Sequence, residues 1–136
     1  MLLDGRKVAK ELKASLKEKV ALLKSKPHLV VVLVGSDPAS LTYVNSKKRQ
    51  AEQVGMASSI IKLPESTSTE TLLETVKKLN QDDSVHGILV QLPLPKQIDT
   101  NTIVDAIDLH KDVDGLHPLN VGLLSNVRPD WIPCIP

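Results

Sequence analysis

Apolar residues recur at Val8, Leu12, Leu16, Val20 and Leu23, about one helical turn apart, with lysines filling much of the space between them. That stripe predicts an amphipathic helix from Gly5 to Lys24, capped by Asp4 and stopped by Pro27. The pattern then changes period. Leu29 to Val34 is an unbroken, β-branched-rich apolar run, which predicts a strand covered on both faces, as in a parallel sheet. Gly35-Ser36-Asp37-Pro38 interrupts it, and a second helix is predicted over Ala39 to Val54, with Gly55 as its C-terminal cap. Further along, Ala57 to Leu63 predicts a strand, Thr69 to Asn80 a helix, Gly87 to Leu92 a strand halted by Pro93 and Pro95, and Thr100 to Asp108 a short helix. Past Asp108 the pattern weakens. Lys111 to Asn120 is polar and punctuated by Gly and Pro, and Val121 to Leu124 predicts one helical turn.

Strands separated by helices in this order predict an α/β fold: a three-layer αβα domain around a mainly parallel sheet with right-handed crossovers. Ligands of such sheets bind beyond the carboxyl ends of the strands. Here those ends are Gly35 to Ser40, Leu63 to Ser66 and Gln91 to Pro95.

Composition narrows the function classes. The 136 residues suit one domain, and 41% hydrophobic content argues for a packed core. Phe is absent, and Tyr43 and Trp131 are the only aromatics, so the core is built from aliphatic side chains. A formal charge of +1 gives no basic field for nucleic acid or an anionic membrane. Cys134 stands alone, so no disulfide forms within the chain. Met1 to Lys10 lacks the long apolar region of a signal peptide, and no apolar run approaches the roughly 20 residues of a membrane helix. The expected compartment is the cytoplasm. The chain ends on Pro133-Cys134-Ile135-Pro136 with no closing element, which points to a fragment, a natural short protein being the alternative.

Tyr43 and Lys47 stand four residues apart on the second predicted helix and therefore share a face. That helix starts at a strand's carboxyl end, close to the expected ligand crevice. A partly desolvated amine beside a phenol suits proton transfer. An ordinary solvated helix face is the competing reading, because Lys48 and Arg49 follow directly. Tyr-x-x-x-Lys is also the pair used by short-chain dehydrogenases. Those enzymes need a Gly-rich phosphate loop after the first strand, whereas this chain offers one glycine, Gly35, and no G-x-G-x-x-G anywhere.

Gln91, at the end of the third predicted strand, is a polar amide that either orients Lys47 from the crevice or is a satisfied edge residue. Asp114 can bind the N–H/NH2 edge of a heterocycle through paired hydrogen bonds, or simply precede Gly115 in a turn. Reading Asp112-Val113-Asp114-Gly115 as a calcium loop puts His110 and Val121 at ligand positions, which excludes it. His28, His86, His110 and His117 have no zinc spacing, and no metal is expected. Ser36, Asp37 and Ser40 read as helix caps, an anion site at the helix N-terminus being the weaker alternative.

Taken together, these segments resemble the bifunctional methylenetetrahydrofolate dehydrogenase/methenyltetrahydrofolate cyclohydrolase family. The resemblance runs through Val34 to Ser40, Tyr43-Val44, Lys47 and Gly55, then Gly87 to Pro95, then Lys111 to Pro118 with Asn120-Val121-Gly122. It covers essentially the whole chain and implies the N-terminal, folate-binding catalytic domain of a two-domain enzyme, occupying residues 1–136. It further implies that Lys47 is the catalytic lysine, Gln91 its hydrogen-bond partner, and Tyr43 the residue packed over the aminobenzoate ring. Asp114 would bind the pterin's polar edge, while the backbone of Val90 and Leu92 and the ring of Pro93 line the pocket.

The implied chemistry is oxidation of 5,10-methylenetetrahydrofolate with NADP, then hydrolysis of the methenyl product to 10-formyltetrahydrofolate. The resemblance gives the NADP site and much of the family's usual homodimer contact to a C-terminal domain that this sequence lacks. This chain alone is therefore expected to bind folate weakly and to lack dehydrogenase turnover. The alternative is a non-enzymatic folate-binding or regulatory remnant. The motif Pro-Cys-Thr-Pro of the family reads Pro133-Cys134-Ile135-Pro136 here.

Overall fold

The computed structural model describes residues 4–128. Trp131 and Cys134 fall outside them. The element order is α1 (Gly5–Ala21), β1 (His28–Val34), α2 (Pro38–Gln53), β2 (Ala57–Leu63), α3 (Thr69–Gln81), β3 (Gly87–Val90), α4 (Thr100–Ala106) and α5 (Pro118–Ser125). The strands form one parallel sheet in the order β2-β1-β3. The register runs from His28↔Ala57 to Val34↔Leu63 on one side of β1, and from Leu29↔Gly87 to Val32↔Val90 on the other.

Side chains alternate across β1, so its single apolar run supplies two cores. Val30, Val32 and Val34 face α3 and α4, packing with Leu72, Val76, Ile88, Val90 and Ile103. Val31 and Leu33 face the other way, with Val44 of α2 and Leu89. Helices on both faces make the three-layer αβα arrangement that the sequence predicts. Because β1 is central, the chain leaves it in one direction to reach β2 and returns past it to reach β3. The crevice between the ends of β1 and β3 is therefore a topological switch point, the usual ligand position in such sheets.

Several boundaries differ from expectation for local reasons. The first helix ends at Ala21 rather than Lys24, because Leu22 and Leu23 N–H close short turns onto Lys19 and Val20 carbonyls. None of its residues is buried. Val8, Leu12, Leu16 and Leu23 stay exposed. Pro38 opens α2 at its first turn, where a missing N–H is harmless, with Asp37 as N-cap. Gly55, at φ +91°, ends α2 with its own N–H on Glu52 and that of Met56 on Ala51, a Schellman cap.

The third strand stops at Val90 instead of Leu92. The Gln91 N–H adds one last bond to Val32, after which the Leu92–Pro93 peptide is cis. Asn80 truncates α4 by donating to the Ala106 carbonyl and accepting from the Asp108 N–H. In place of the single turn expected at Val121 to Leu124 there is the longer helix α5, begun by Pro118 and capped by the His117 ring.

Candidate functional site

Lys47 lies one turn beyond Tyr43 on α2, and its environment differs from that of its basic neighbours. The Lys48 ammonium pairs with Glu52 at 3.8 Å along the exposed helix surface, a contact of little energetic weight. Lys47, half-buried, turns inward instead and donates to Gln91 Oε1 at 3.4 Å. The Gln91 amide cannot turn freely, because its Nε2 donates to the Leu92 carbonyl at 2.6 Å. That bond presents Oε1 toward the lysine. The two residues are 44 positions apart in sequence. Parallel pairing of β1 with β3, and the packing of α2 across the sheet, bring them together.

An open cleft of about 590 Å³ runs alongside this pair. Lys47, Gln50 and Ala51 line it from α2, and Leu89 from β3. Val113 and Asp114 close one side, and Leu12 and Leu16 of α1 the other. The apolar stripe of the first helix thus faces a cleft rather than a sealed core. The lining is mostly aliphatic, with Lys13, Lys47 and Asp114 as its charged groups, the usual make-up of a small-molecule site.

Asp114 is half-buried, and burial is the main cause that pushes its carboxyl above the ordinary 3.8. The Lys47 charge acts in the opposite sense, and the neighbouring Asp112 adds a smaller upward push. Lys47 is thus tied to Gln91 by a hydrogen bond and coupled to Asp114 by charge. Tyr43, one turn before Lys47 on α2, is 64% exposed and is not among the residues that line the cleft. Val90 is buried, the Leu92 carbonyl is engaged by Gln91, and the Pro93 ring is exposed beyond them.

The segment carrying Asp114 is anchored more heavily than its loop-like sequence suggests. Ile88 N–H donates to the Lys111 carbonyl at 2.8 Å, and Asp112 forms a parallel bridge to Ile88. The Lys111 ammonium caps the end of α3, donating to the carbonyls of Leu79, Asn80 and Asp82. Asp112 itself is buried and accepts several hydrogen bonds, a feature the sequence reading passed over. Gly87 permits the approach: a Cβ there would lie 2.6 Å from Val113 Cγ1.

At the N-terminus of α2, where a dinucleotide fold would hold its phosphates, the Asp37 carboxylate already caps the helix. It accepts from the Ser40 N–H at 2.8 Å, and Ser40's backbone and hydroxyl hold its carboxyl below the ordinary value. A pyrophosphate would meet this negative charge, so the turn does not suit NADP. Among the described residues no cluster of His, Cys, Asp and Glu could hold a metal. No described helix is long and apolar enough to cross a membrane.

Comparison with known proteins gives a consistent picture. Residues 3–114 match the family model described as tetrahydrofolate dehydrogenase/cyclohydrolase, catalytic domain. A bifunctional protein FolD from Macrococcus caseolyticus is 52% identical over 138 aligned positions, covering 99% of this chain and 49% of that protein. The crystal structure of the bifunctional FolD dehydrogenase/cyclohydrolase from Campylobacter jejuni superposes with a TM-score of 0.94 at 47% identity, covering 98% of this chain and 49% of that one. The Trypanosoma brucei enzyme, solved with NADP and an inhibitor, gives 0.92 at 37% identity, covering 98% and 48%. This chain spans about half the length of the relatives it matches.

Proposed function

Because the chain belongs to the tetrahydrofolate dehydrogenase/cyclohydrolase catalytic-domain family, we propose that it is the folate-binding catalytic half of a methylenetetrahydrofolate dehydrogenase/methenyltetrahydrofolate cyclohydrolase. The observation that carries this reading is the Lys47–Gln91 contact at 3.4 Å beside the cleft that Asp114 also lines. In this reading tetrahydrofolate derivatives occupy the cleft. The pterin places its N–H and NH2 donors on Asp114, whose ionised carboxylate offers two acceptors for them. Tyr43 covers the aminobenzoate ring at the mouth, and the backbone of Val90 and Leu92 with the Pro93 ring forms the wall.

The ring-opening step needs little besides these groups. Water adds to the methenyl carbon, which is electrophilic because it carries part of the cation's positive charge, the rest being spread over its two nitrogens. The Lys47 amine takes the proton that the attacking water loses, then returns it to the folate nitrogen whose bond to that carbon breaks; the adduct's remaining hydroxyl proton leaves to solvent as the formyl carbonyl forms, so one proton is released overall. The product is 10-formyltetrahydrofolate. Gln91 holds the amine in line through a neutral acceptor, adding no charge that would fix it as an ammonium. The aliphatic floor limits water to what the reaction consumes.

NADP is the oxidant implied for the preceding dehydrogenation. The α2 turn is unsuited to it, and we assign its binding to a part of the enzyme outside residues 1–136. The folate reading is tested by titrating the full chain with folic acid in a calorimeter. Saturable binding, weakened about tenfold or more by Asp114→Asn, is expected. Equal affinity in the two proteins would remove Asp114 from the site.

A further inference from the structure

Asp112 is 2% exposed, yet no cation pairs with it among the described residues. A buried carboxylate without such compensation is costly. Here four N–H groups converge on it. Oδ1 accepts from the Gly115 N–H at 3.1 Å and the Leu116 N–H at 3.3 Å. Oδ2 accepts from the His117 N–H at 2.9 Å and from Asn120 Nδ2 at 2.9 Å. All four partners are donors, so the position requires a group with two acceptor oxygens. An asparagine would keep one acceptor and turn its NH2 toward other N–H groups.

The loop from Asp112 to His117 is thus wrapped around one carboxylate. Asn120, also 2% exposed, ties that carboxylate to the first turns of α5 and donates again to the Leu109 carbonyl at 3.3 Å. Asn120 Oδ1 is buried with no protein partner, which indicates that the side chain is kept there for its donors. On the far side, the Lys111 and Ile88 bonds fasten the same loop to α3 and β3. Asp114 is two residues from the hub, on the part of the loop that borders the cleft.

We propose that Asp112, held by Asn120, is a positioning residue that fixes the 112–117 loop so that Asp114 meets the N–H edge of a bound pterin. Asp112 touches no ligand in this arrangement. It acts through Asp114, and the proposal rests on the folate reading above. Its charge also adds to the upward push on the Asp114 carboxyl, making that group a stronger acceptor.

The test is a double-mutant cycle on the full chain, read as the Kd for folic acid by calorimetry. Asp112→Asn should weaken binding about tenfold, and Asp112→Asn/Asp114→Asn should bind no worse than Asp114→Asn alone, within about twofold. General damage to the fold would instead multiply the two losses. Should Asp112→Asn fail to fold, Asn120→Ala is put through the same cycle, with a loss of about threefold expected only while Asp114 is present.

Losses that multiply, or an Asp112→Asn protein within about twofold of wild type, overturn the proposal. Amide hydrogen exchange provides a ligand-free arm. The Gly115 and His117 amides should be protected in wild type and lose protection in Asn120→Ala; free exchange in wild type overturns the proposal. A wild-type chain that does not bind folic acid sinks the folate reading and the role given to Asp114, while the exchange arm still decides whether Asp112 holds the loop.

Discussion

In the proposed folate site Asp114 has to be ionised to accept both donors of a pterin, in a place where burial resists ionisation. Its folded-state carboxyl is raised above the ordinary 3.8, so between those two values the folded chain binds more protons than the unfolded one. Stability therefore falls as pH rises through that window, and the deficit persists at neutral pH. Asp114→Asn should raise the Tm at pH 7 while weakening folic acid binding, and the Tm gain should vanish in acid below the ordinary aspartate range. Thermal unfolding at the two pH values checks both signs. For the same reason, binding by wild type should be lost on acidification before an ordinary carboxylate would titrate.

Gln91 offers a second residue-scale prediction. Gln91→Glu places a carboxylate where a neutral oxygen now lies 3.4 Å from Lys47. An adjacent negative charge favours the ammonium form. The pH–rate profile of methenyl ring opening should move to higher pH, with a lower rate at pH 7. An unshifted profile would mean that Gln91 does not act on Lys47.

At the scale of elements, two glycines do separate work. Gly55 ends α2 in the left-handed region, with Val20 Cγ1 3.3 Å from where a Cβ would lie. Gly55→Ala should cost about 1–2 kcal/mol of stability, with any change in folic acid affinity coming through Val54 and Met56, which flank it and line the cleft. Gly87→Ala would drive a Cβ into the β-branched Val113. It should cost about 1–3 kcal/mol and also weaken folate binding, because Val113 and Asp114 share the displaced segment. Chemical denaturation and calorimetry on both variants separate the two effects.

The elements also show what the chain's pattern reveals and where it stops. The β1 run, the Pro38 start and the Gly55 end are local signals, written in periodicity and turn chemistry, and each appears where the pattern predicts it to within a residue or two. The end of β3 depends on how far β1 pairs with it, which no local pattern encodes. The extent of α5 is set by Pro118 and the His117 cap inside a stretch whose polarity disguised it. Asp112 drew no reading of its own from the pattern, because the partners that hold it lie up to eight positions away. Tyr43, Lys47, Gln91 and Asp114 could be picked out as chemistry-bearing residues. Only the three-dimensional packing turns Lys47 away from the exposed Lys48 pair and onto Gln91.

Across the whole molecule, the sheet divides its labour between faces. The α3/α4 face holds a closed aliphatic core in which Leu72, Val76 and Ile103 are fully buried. The α2 face is thinner and opens into the cleft. Leu72→Ala should therefore cost about 2–5 kcal/mol without altering folic acid affinity in the fraction that stays folded.

In the proposed function the chemistry belongs to the open face, and to Lys47 above all. The most direct measurement is the initial rate of 5,10-methenyltetrahydrofolate ring opening, followed by loss of its absorbance, for the full chain and for Lys47→Met. The methionine fills similar space but carries no proton-transferring group. The enzyme reading predicts a rate above the buffer reaction for wild type and a fall of at least about 100-fold in the catalysed rate on substitution, with folic acid still bound. An undiminished rate in Lys47→Met, or no catalysis by wild type under conditions where folate is bound, would contradict it.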